Sequence, residues 1–262
     1  LDNTGGTLRS NADATVRVAA SLLNANGLIG SVGALQANAG RSVNNSAGQL
    51  RANQSLVVQG AMLDNTGGTI QSTGADVQLK AAGVLSNGAG GTIRSATDLS
   101  IEAGTLANTA SLRAGRDGQV IVQGVLTNEG SISSAGNTRI AAGSVQSSAA
   151  GVLGAGVQND GTVGAGAGDL QVTSAGALAA HGTQLAAGHL ALQGASIDLT
   201  ASKTSAANVR LSALAGNVTT SGAQVITPGV LGIAGNAQVA QTLVNEGGTL
   251  NAALLQLQGA NL

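Results

Sequence analysis

The chain has 262 residues, a formal net charge of −1 and only 9% charged residues, so it lacks the basic surface that attracts nucleic acids or anionic membranes. It contains no aromatic residue and no cysteine, which excludes base-stacking platforms, aromatic sugar clefts and disulfide frameworks. No apolar stretch is long enough to form a membrane-spanning helix. We therefore expect neither a nucleic-acid partner nor insertion into a membrane.

A seven-residue word, Leu-Asp-Asn-Thr-Gly-Gly-Thr, opens the chain at residues 1–7 and returns at residues 63–69. Shorter copies, each an aliphatic residue followed two places later by asparagine, recur every 20 to 22 residues. Such a period is typical of a solenoid, in which each repeat forms one rung and stacks on the next. The copies start at Leu1, Leu22, Val43, Leu63, Leu85, Leu106 and Leu126.

Aliphatic residues fall into four columns when the repeats are aligned. Two of the columns stand two residues apart with one residue between them, which is typical of a strand with one buried face. Glycine, asparagine and serine between the columns predict turns, and the 41 glycines argue against helices. We predict an all-β fold, a right-handed parallel β-helix with three sides and about 20–21 residues per rung. The paired columns are Val16 and Val18, Leu56 and Val58, Val77 and Leu79, Leu99 and Ile101, and Val120 and Val122.

One asparagine occupies the same place in every regular repeat, next to the buried leucine column. Because of that position, we predict that the side-chain amides hydrogen-bond to one another along the stack. The alternative is a polar row that binds a ligand. Asn159 and Asn245 are expected to be later members of the column. The predicted ladder consists of Asn3, Asn24, Asn45, Asn65, Asn87, Asn108 and Asn128.

The pattern predicts one continuous β-helix over residues 1–262, with changes of regularity inside it. Residues 1–145 carry the regular repeats, and residues 146–156 form an irregular insertion rich in glycine and alanine. Residues 157–242 form looser rungs, with Leu178, Leu185 and the pair Leu190 and Leu192 as one of them, and residues 243–262 return to the regular pattern. The chain begins and ends within repeats, so we expect it to be a piece of a longer protein.

Four arginines share one column and form a candidate binding surface, interrupted by Gly30 and Gln71. A row of guanidinium groups suits an acidic sugar or another acidic partner. The alternative is that the arginines keep a sheet face soluble and prevent association of sheets. The column consists of Arg9, Arg51, Arg94 and Arg113.

Catalytic and metal sites find little support in the sequence. His181 and His189 are the only histidines, and we expect the nearest acids, Asp169 and Asp198, to lie at a distance from them. Several aspartates precede the paired columns, where they make either turns or a calcium row. We predict turns, because the calcium-binding nonapeptide pattern is absent. These aspartates are Asp13, Asp76, Asp98, Asp117 and Asp169.

The word at residues 63–70 and its recurrence resemble the repeats of filamentous-hemagglutinin-like exoproteins, which include adhesins and CdiA-type contact-dependent growth inhibition proteins. The resemblance implies a Gram-negative bacterium, two-partner secretion through an outer-membrane transporter, and a place outside the cell or on its surface. It implies a non-catalytic filamentous stalk that adheres to other cells or presents a distal toxin. The implied partner is a receptor on a host or target cell, either protein or glycan, and no cofactor is implied.

Two other functions remain open at the level of sequence. Many β-helices degrade polysaccharides, but such enzymes need converging carboxylates, and the 12 acids here are dispersed along the chain. An ice-binding or surface-binding solenoid would need a regular Thr-x-Thr face, and the outward positions are too mixed for one. We therefore predict no catalytic, cofactor or metal site. The resemblance also implies that the family's secretion domain, which carries Asn-Pro motifs, is not part of this sequence. The single proline, Pro228, is preceded by Thr227, so the sequence contains no Asn-Pro motif.

Overall fold

A computed structural model describes residues 1–164, 167–235 and 242–259. The chain divides into two compact units, Leu1–Gln123 and Gly124–Leu262, which we call unit 1 and unit 2. All regular structure in the described ranges is β-strand, which confirms the predicted all-β class. None of these residues belongs to a helix that could cross a membrane.

Unit 1 is built from rungs of three strand segments each. The second and third segments are separate strands in the first three rungs and merge into one bent strand in the later rungs. The last strand continues into unit 2. The strands are β1 (Thr7–Ser10), β2 (Ala14–Val18), β3 (Leu22–Leu23), β4 (Leu28–Ser31), β5 (Leu35–Ala39), β6 (Ser42–Asn44), β7 (Gln49–Ala52), β8 (Leu56–Gly60), β9 (Met62–Asp64), β10 (Thr69–Ser72), β11 (Val77–Asn87), β12 (Thr92–Arg94), β13 (Leu99–Asn108), β14 (Ser111–Ala114) and β15 (Gly118–Asn128).

The rungs of unit 1 stack in parallel and in register, as the repeat predicts. Leu22 pairs with Val43 and Val43 with Leu63, so the first aliphatic column runs unbroken from rung to rung. Ile29 pairs with Leu50 in the same way in the second column. These side chains are almost fully buried, and each contributes about 1.5–3 kcal/mol of burial. The core therefore lies inside the rungs, and the alternate residues face outwards.

One part of the predicted alignment is wrong. Val16 pairs with Ala37, which pairs with Val58, so Val16 belongs to the column of Val58 and not to that of Leu56. Ala14 takes the place opposite Leu35 in the Leu56 column. The error has a simple cause, since a shift of two residues keeps the same side chains facing inwards and leaves the alternation unchanged.

Unit 2 repeats the three-segment rung with strands of more variable length. Leu170 pairs with Leu190, Leu190 with Val209, and Val209 with Leu231, so an aliphatic column runs through these rungs. Its further strands are β16 (Ser131–Ser134), β17 (Thr138–Ser147), β18 (Val152–Ala155), β19 (Leu170–Ser174), β20 (Leu178–Ala180), β21 (Thr183–Ala186), β22 (His189–Gly194), β23 (Ile197–Asp198), β24 (Lys203–Ser205), β25 (Asn208–Ala213), β26 (Val218–Thr219), β27 (Gln224–Ile226), β28 (Val230–Gly235), β29 (Leu243–Val244), β30 (Thr249–Asn251) and β31 (Leu254–Gln258).

The irregular segment differs in place from the sequence expectation. Strand β18 falls within residues 146–156 and pairs in parallel with β16 and β21. The excursion comes afterwards, where Val157 and Val163 form an antiparallel bridge. In β21 the inward residue is Gln184 and not the expected Leu185, because Gln184 pairs with Leu153 and Thr204. A continuous β-helix through both units, and its right-handed sense, stay predictions.

The repeated word is explained by the turn that precedes each strand of the first face. Asp64 Oδ1 accepts the backbone N–H of Thr66 at 2.9 Å and its hydroxyl at 2.7 Å, which closes the turn. Gly67 has a positive φ of 65°, a conformation that glycine adopts without strain. At Gly68, a Cβ would overlap the backbone carbonyl oxygen of Asn45 on the neighbouring rung. The aspartate, the first threonine and both glycines of the word therefore each have a defined role in the turn.

Candidate functional site

The asparagine column forms a chain of buried amide hydrogen bonds inside unit 1. Each Nδ2 donates to the Oδ1 of the asparagine on the next rung, in one direction throughout. The donor–acceptor distances are 2.7 Å for Asn3 to Asn24, 2.7 Å for Asn24 to Asn45, 2.8 Å for Asn45 to Asn65, 2.9 Å for Asn65 to Asn87, and 2.9 Å for Asn87 to Asn108.

Each ladder amide also satisfies backbone groups of the turn. Asn45 Nδ2 donates to the carbonyl oxygens of Gly48 and Thr69, both at 3.2 Å. Asn24, Asn45 and Asn65 are completely buried. Because the amides are used by the rungs themselves, this arrangement supports a structural role for the ladder rather than ligand binding.

In unit 2, residues other than asparagine occupy the ladder position between Asn128 and Asn245. Asn128 Nδ2 donates to the hydroxyl of Ser147 at 3.2 Å, and Thr220 Oγ1 donates to Asn245 Oδ1 at 2.8 Å. Ala180 and Leu199 occupy the position on the rungs between and are fully buried. Asn159 is exposed in the turn after Val157, so it lies outside the column.

The four arginines of the candidate surface lie on one outer face of unit 1, which we call the arginine face and which consists of β1, β4, β7, β10, β12 and β14. The backbone register places one residue of the column on each rung. The order along the stack is Arg9, Gly30, Arg51, Gln71, Arg94 and Arg113.

A shallow cleft of about 300 Å³ opens around Gly30 on this face, between Arg9 and Arg51. A Cβ built on Gly30 would meet no atom closer than 3.8 Å, so the space above it is open. Both arginines are exposed, and neither forms an ion pair with an acid of the described residues. Ser10, Asn11, Gln49 and Asn53 add polar groups to the cleft wall.

The aspartates that precede the paired columns bind the backbone of neighbouring rungs. Asp13 Oδ1 accepts the N–H of Ala34 at 2.9 Å, and Asp169 Oδ1 accepts the N–H of His189 at 2.7 Å. Asp98 also forms an ion pair with Arg116, whose hydrogen bond lowers the pKa of that carboxyl below its ordinary value. Across the described ranges, no three side chains of His, Asp or Glu come together to hold a metal.

The expectation that the histidines lie away from acids is wrong for His181. Its Nε2 is 3.2 Å from Asp198 Oδ2. Asp198 of β23 pairs with Ala179 of β20, and His181 follows directly after β20, so the two side chains come together from neighbouring rungs. Burial opposes ionisation of Asp198, but hydrogen bonds from Thr200 and the contact with His181 outweigh it and lower the pKa of the carboxyl. His189 Nδ1 lies 3.3 Å from the amide nitrogen of Asn208. Sequence spacing gave no signal of the His181 contact, since it depends on the rung register.

Unit 2 carries a wider groove, of about 870 Å³, on the outer side of β22, β25, β28 and β31. Gly232 of β28 lines the groove and pairs with Arg210 of β25 on one side and with Gln256 of β31 on the other. Asn208 and Gln258 also line it. None of the residues that line it is acidic.

Comparison with known proteins decides the family. The haemagglutinin repeat family model matches four overlapping stretches, residues 1–45, 31–101, 76–182 and 140–213. The chain belongs to the haemagglutinin repeat family. This confirms the resemblance drawn from the repeated word. None of the solved structures matches the chain.

Two curated relatives carry similar repeats. Toxin CdiA of Yersinia pestis is 42% identical over 147 residues, which is 56% of this chain and 4% of that protein. The tRNA nuclease CdiA-2 of Burkholderia pseudomallei (strain 1026b) is 43% identical over 102 residues, which is 38% of this chain and 3% of that protein. The matched residues therefore span only a small part of each of these two much longer proteins.

Proposed function

We propose that this chain is a non-catalytic segment of the stalk of a large exoprotein, secreted to the surface of a Gram-negative bacterium by an outer-membrane transporter. The observation that supports this most directly is how the repeat uses its residues. The inward positions are occupied by the aliphatic columns and the amide ladder, which pack and hydrogen-bond each rung to its neighbours. Outward positions are free to vary, which suits a spacer that carries other functions.

The stalk serves, in this proposal, to hold a distal toxin or adhesive region away from the producing cell. The similarity to a protein named as a toxin supports the toxin form of the proposal, because the matched repeats are only 4% of that protein. The partner of the complete protein is then a receptor on a target or host cell.

A graft into the relative tests this role. The matched part of Toxin CdiA from Yersinia pestis is replaced by the 147 matched residues of this chain. The proposal predicts that surface display and inhibition of neighbouring cells are both retained. Normal display with loss of inhibition would show that this region does more than hold a distal part at a distance, and would contradict the stalk role.

The non-catalytic part of the proposal is supported by the use of the aspartates. Asp13 and Asp169 accept backbone N–H groups, and Asp98 is paired with Arg116, so these carboxylates serve the rungs. The chain is incubated with uronic acid polymers, and the products are followed by reducing-sugar and ultraviolet absorbance assays. We expect no release of either product, and turnover of any polymer would favour the polysaccharide-degrading alternative.

A further inference from the structure

The arginine face has a periodic charge pattern that the stalk role does not explain. Over the first five rungs arginine occurs on alternate rungs, at Arg9, Arg51 and Arg94, with Gly30 and Gln71 on the rungs between them, and Arg113 follows directly on the sixth rung. Neighbouring parallel strands are about 4.8 Å apart, so these arginines recur at about 9.6 Å along the stack. The register confirms the order of this column that the sequence alignment predicted.

The neighbouring outward column on the same face is polar and uncharged. It offers hydroxyl and amide groups beside the arginines, with one aliphatic residue among them. The outward positions of these six strands contain no acid. That column consists of Thr7, Leu28, Gln49, Thr69, Thr92 and Ser111.

Arg9 and Arg51 differ from two of the other cations of unit 1, Lys80 and Arg116. Lys80 is 3.0 Å from Glu102, and Arg116 is paired with Asp98, but Arg9 and Arg51 make no ion pair with a described acid. The cleft at Gly30 leaves room for a ligand to pass between them at the level of the sheet. Two exposed guanidinium groups on either side of an open cleft form a binding site for anionic oxygens.

We propose that the arginine face binds a linear polysaccharide in which acidic residues alternate with neutral ones. The polymer lies along the stack, with acidic groups at Arg9, Arg51 and Arg94 and neutral residues over Gly30 and Gln71. The hydroxyl and amide column then hydrogen-bonds to the sugar hydroxyls. A nucleic acid strand fits less well, because its phosphates are spaced too closely and the chain has no aromatic residue for its bases. The proposal is independent of the stalk role.

The acidic group is either a carboxylate or a sulfate ester, and two probes distinguish them. Binding of the 262-residue chain to hyaluronan, which alternates a carboxylated with a neutral sugar, is compared with binding to keratan sulfate, which carries sulfate esters. Dextran serves as the neutral polymer and poly-L-glutamate as a polyanion without sugars. We expect one of the first two to bind, and dextran and polyglutamate to bind weakly. Equal binding of polyglutamate, or no binding of either polysaccharide at low salt, would overturn the proposal.

Substitutions that remove the same charge from different faces test the location. R51Q is expected to weaken binding about fivefold, and R9Q/R51Q about twentyfold, since the two arginines contact separate acidic groups. R17Q removes an exposed arginine of β2, on another face of unit 1, and is expected to change affinity less than twofold. Equal losses for R17Q and R51Q would overturn the proposal, because they would indicate attraction to net charge alone.

Two further variants test the period without lowering the charge. G30L fills the cleft between Arg9 and Arg51 and is expected to weaken binding about fivefold although every arginine remains. Q71R adds a cation on a rung assigned to a neutral sugar and is expected to give no gain in affinity. A gain for Q71R comparable to the loss for R51Q would contradict the alternating arrangement. Circular dichroism and thermal unfolding establish whether each variant keeps its fold. If G30L does not fold, the result for Q71R alone tests the alternating arrangement.

Discussion

Asn24 donates its side-chain amide to Oδ1 of Asn45, which lies one rung further along the stack, at 2.7 Å. Both side chains are completely buried in unit 1. The same nitrogen also donates to the backbone carbonyl of Gln49 at 3.1 Å. Because each asparagine accepts from one neighbour and donates to the next, the loss of a single amide removes buried hydrogen bonds from two neighbouring rungs at once.

Substitution of Asn45 by alanine is therefore expected to destabilise unit 1 by about 2–4 kcal/mol. The variant removes the hydrogen bond that Asn45 Oδ1 accepts from Asn24 and the one that Asn45 Nδ2 donates to Asn65 Oδ1. It also removes the hydrogen bond from Asn45 Nδ2 to the carbonyl oxygen of Gly48 in the turn. Urea unfolding followed by circular dichroism measures the change. Asn11→Ala, at an exposed position of the same unit, is the control and should unfold like the parent chain. Equal midpoints for the two variants would show that the ladder contributes nothing.

Two glycines of unit 1 are expected to respond in opposite ways to alanine. A Cβ at Gly48 would overlap the carbonyl oxygen of Asn24, so Gly48→Ala must push two rungs apart. A Cβ at Gly30 has free space and an ordinary strand conformation, so Gly30→Ala should be neutral or stabilise by up to about 1 kcal/mol. Thermal unfolding of both variants checks the difference, and a lower melting temperature for Gly30→Ala than for Gly48→Ala would contradict it.

Removal of one whole rung should be tolerated, because each rung contacts only its neighbours. Deletion of residues 43–62 joins Ser42 to Leu63, which takes the place of Val43 in the first column. The shortened chain is expected to keep its strand signal and its resistance to protease. Deletion of residues 43–52 removes half a rung and brings strands of different faces into register. We expect that variant to be largely unfolded, and equal behaviour of the two deletions would contradict rung stacking.

The ion pair of Asp98 and Arg116 gives a specific pH dependence. The pKa of Asp98 is lowered from its ordinary value of 3.8, chiefly by the hydrogen bond from Arg116. A carboxyl with a lowered pKa in the folded state stabilises the fold above its unfolded pKa, and this contribution is lost as the pH falls through the folded value. Arg116→Gln should thus destabilise the chain slightly at neutral pH, and this effect should decline as the pH falls below 3.8 and disappear once the pH is below the lowered pKa of the folded state. Urea midpoints measured from neutral to acid pH, with Arg17→Gln alongside, check this, and an effect of Arg116→Gln that persists unchanged at low pH would contradict it.

The periodic parts of the fold were predictable, because the core requires the same residue type at the same place on every rung. The column of Leu22, Val43 and Leu63 follows from spacing alone, and it lies where the spacing puts it. The amide contacts of the ladder also follow, since a polar residue adjoining a buried column needs a partner that repeats with it.

Features that depend on the lengths of corners could not be predicted in this way. A strand of four residues can start one place earlier or later, which is why Gln184 and not Leu185 faces the core. Gln184 is accommodated there because Thr204 donates its hydroxyl to Oε1 at 2.8 Å. The contact of His181 with Asp198 likewise follows from a turn between rungs and not from spacing.

A crystal structure of this chain tests most directly the central claim, that the repeat specifies parallel rungs tied by buried amides. We predict Nδ2–Oδ1 distances within hydrogen-bonding range between successive ladder asparagines, and Arg9 and Arg51 about 9.6 Å apart at Cα on one face. Antiparallel pairing of the repeats, with asparagines at the surface, would contradict the account. A groove in which two or more carboxylates converge would also contradict it and would favour a polysaccharide-degrading enzyme.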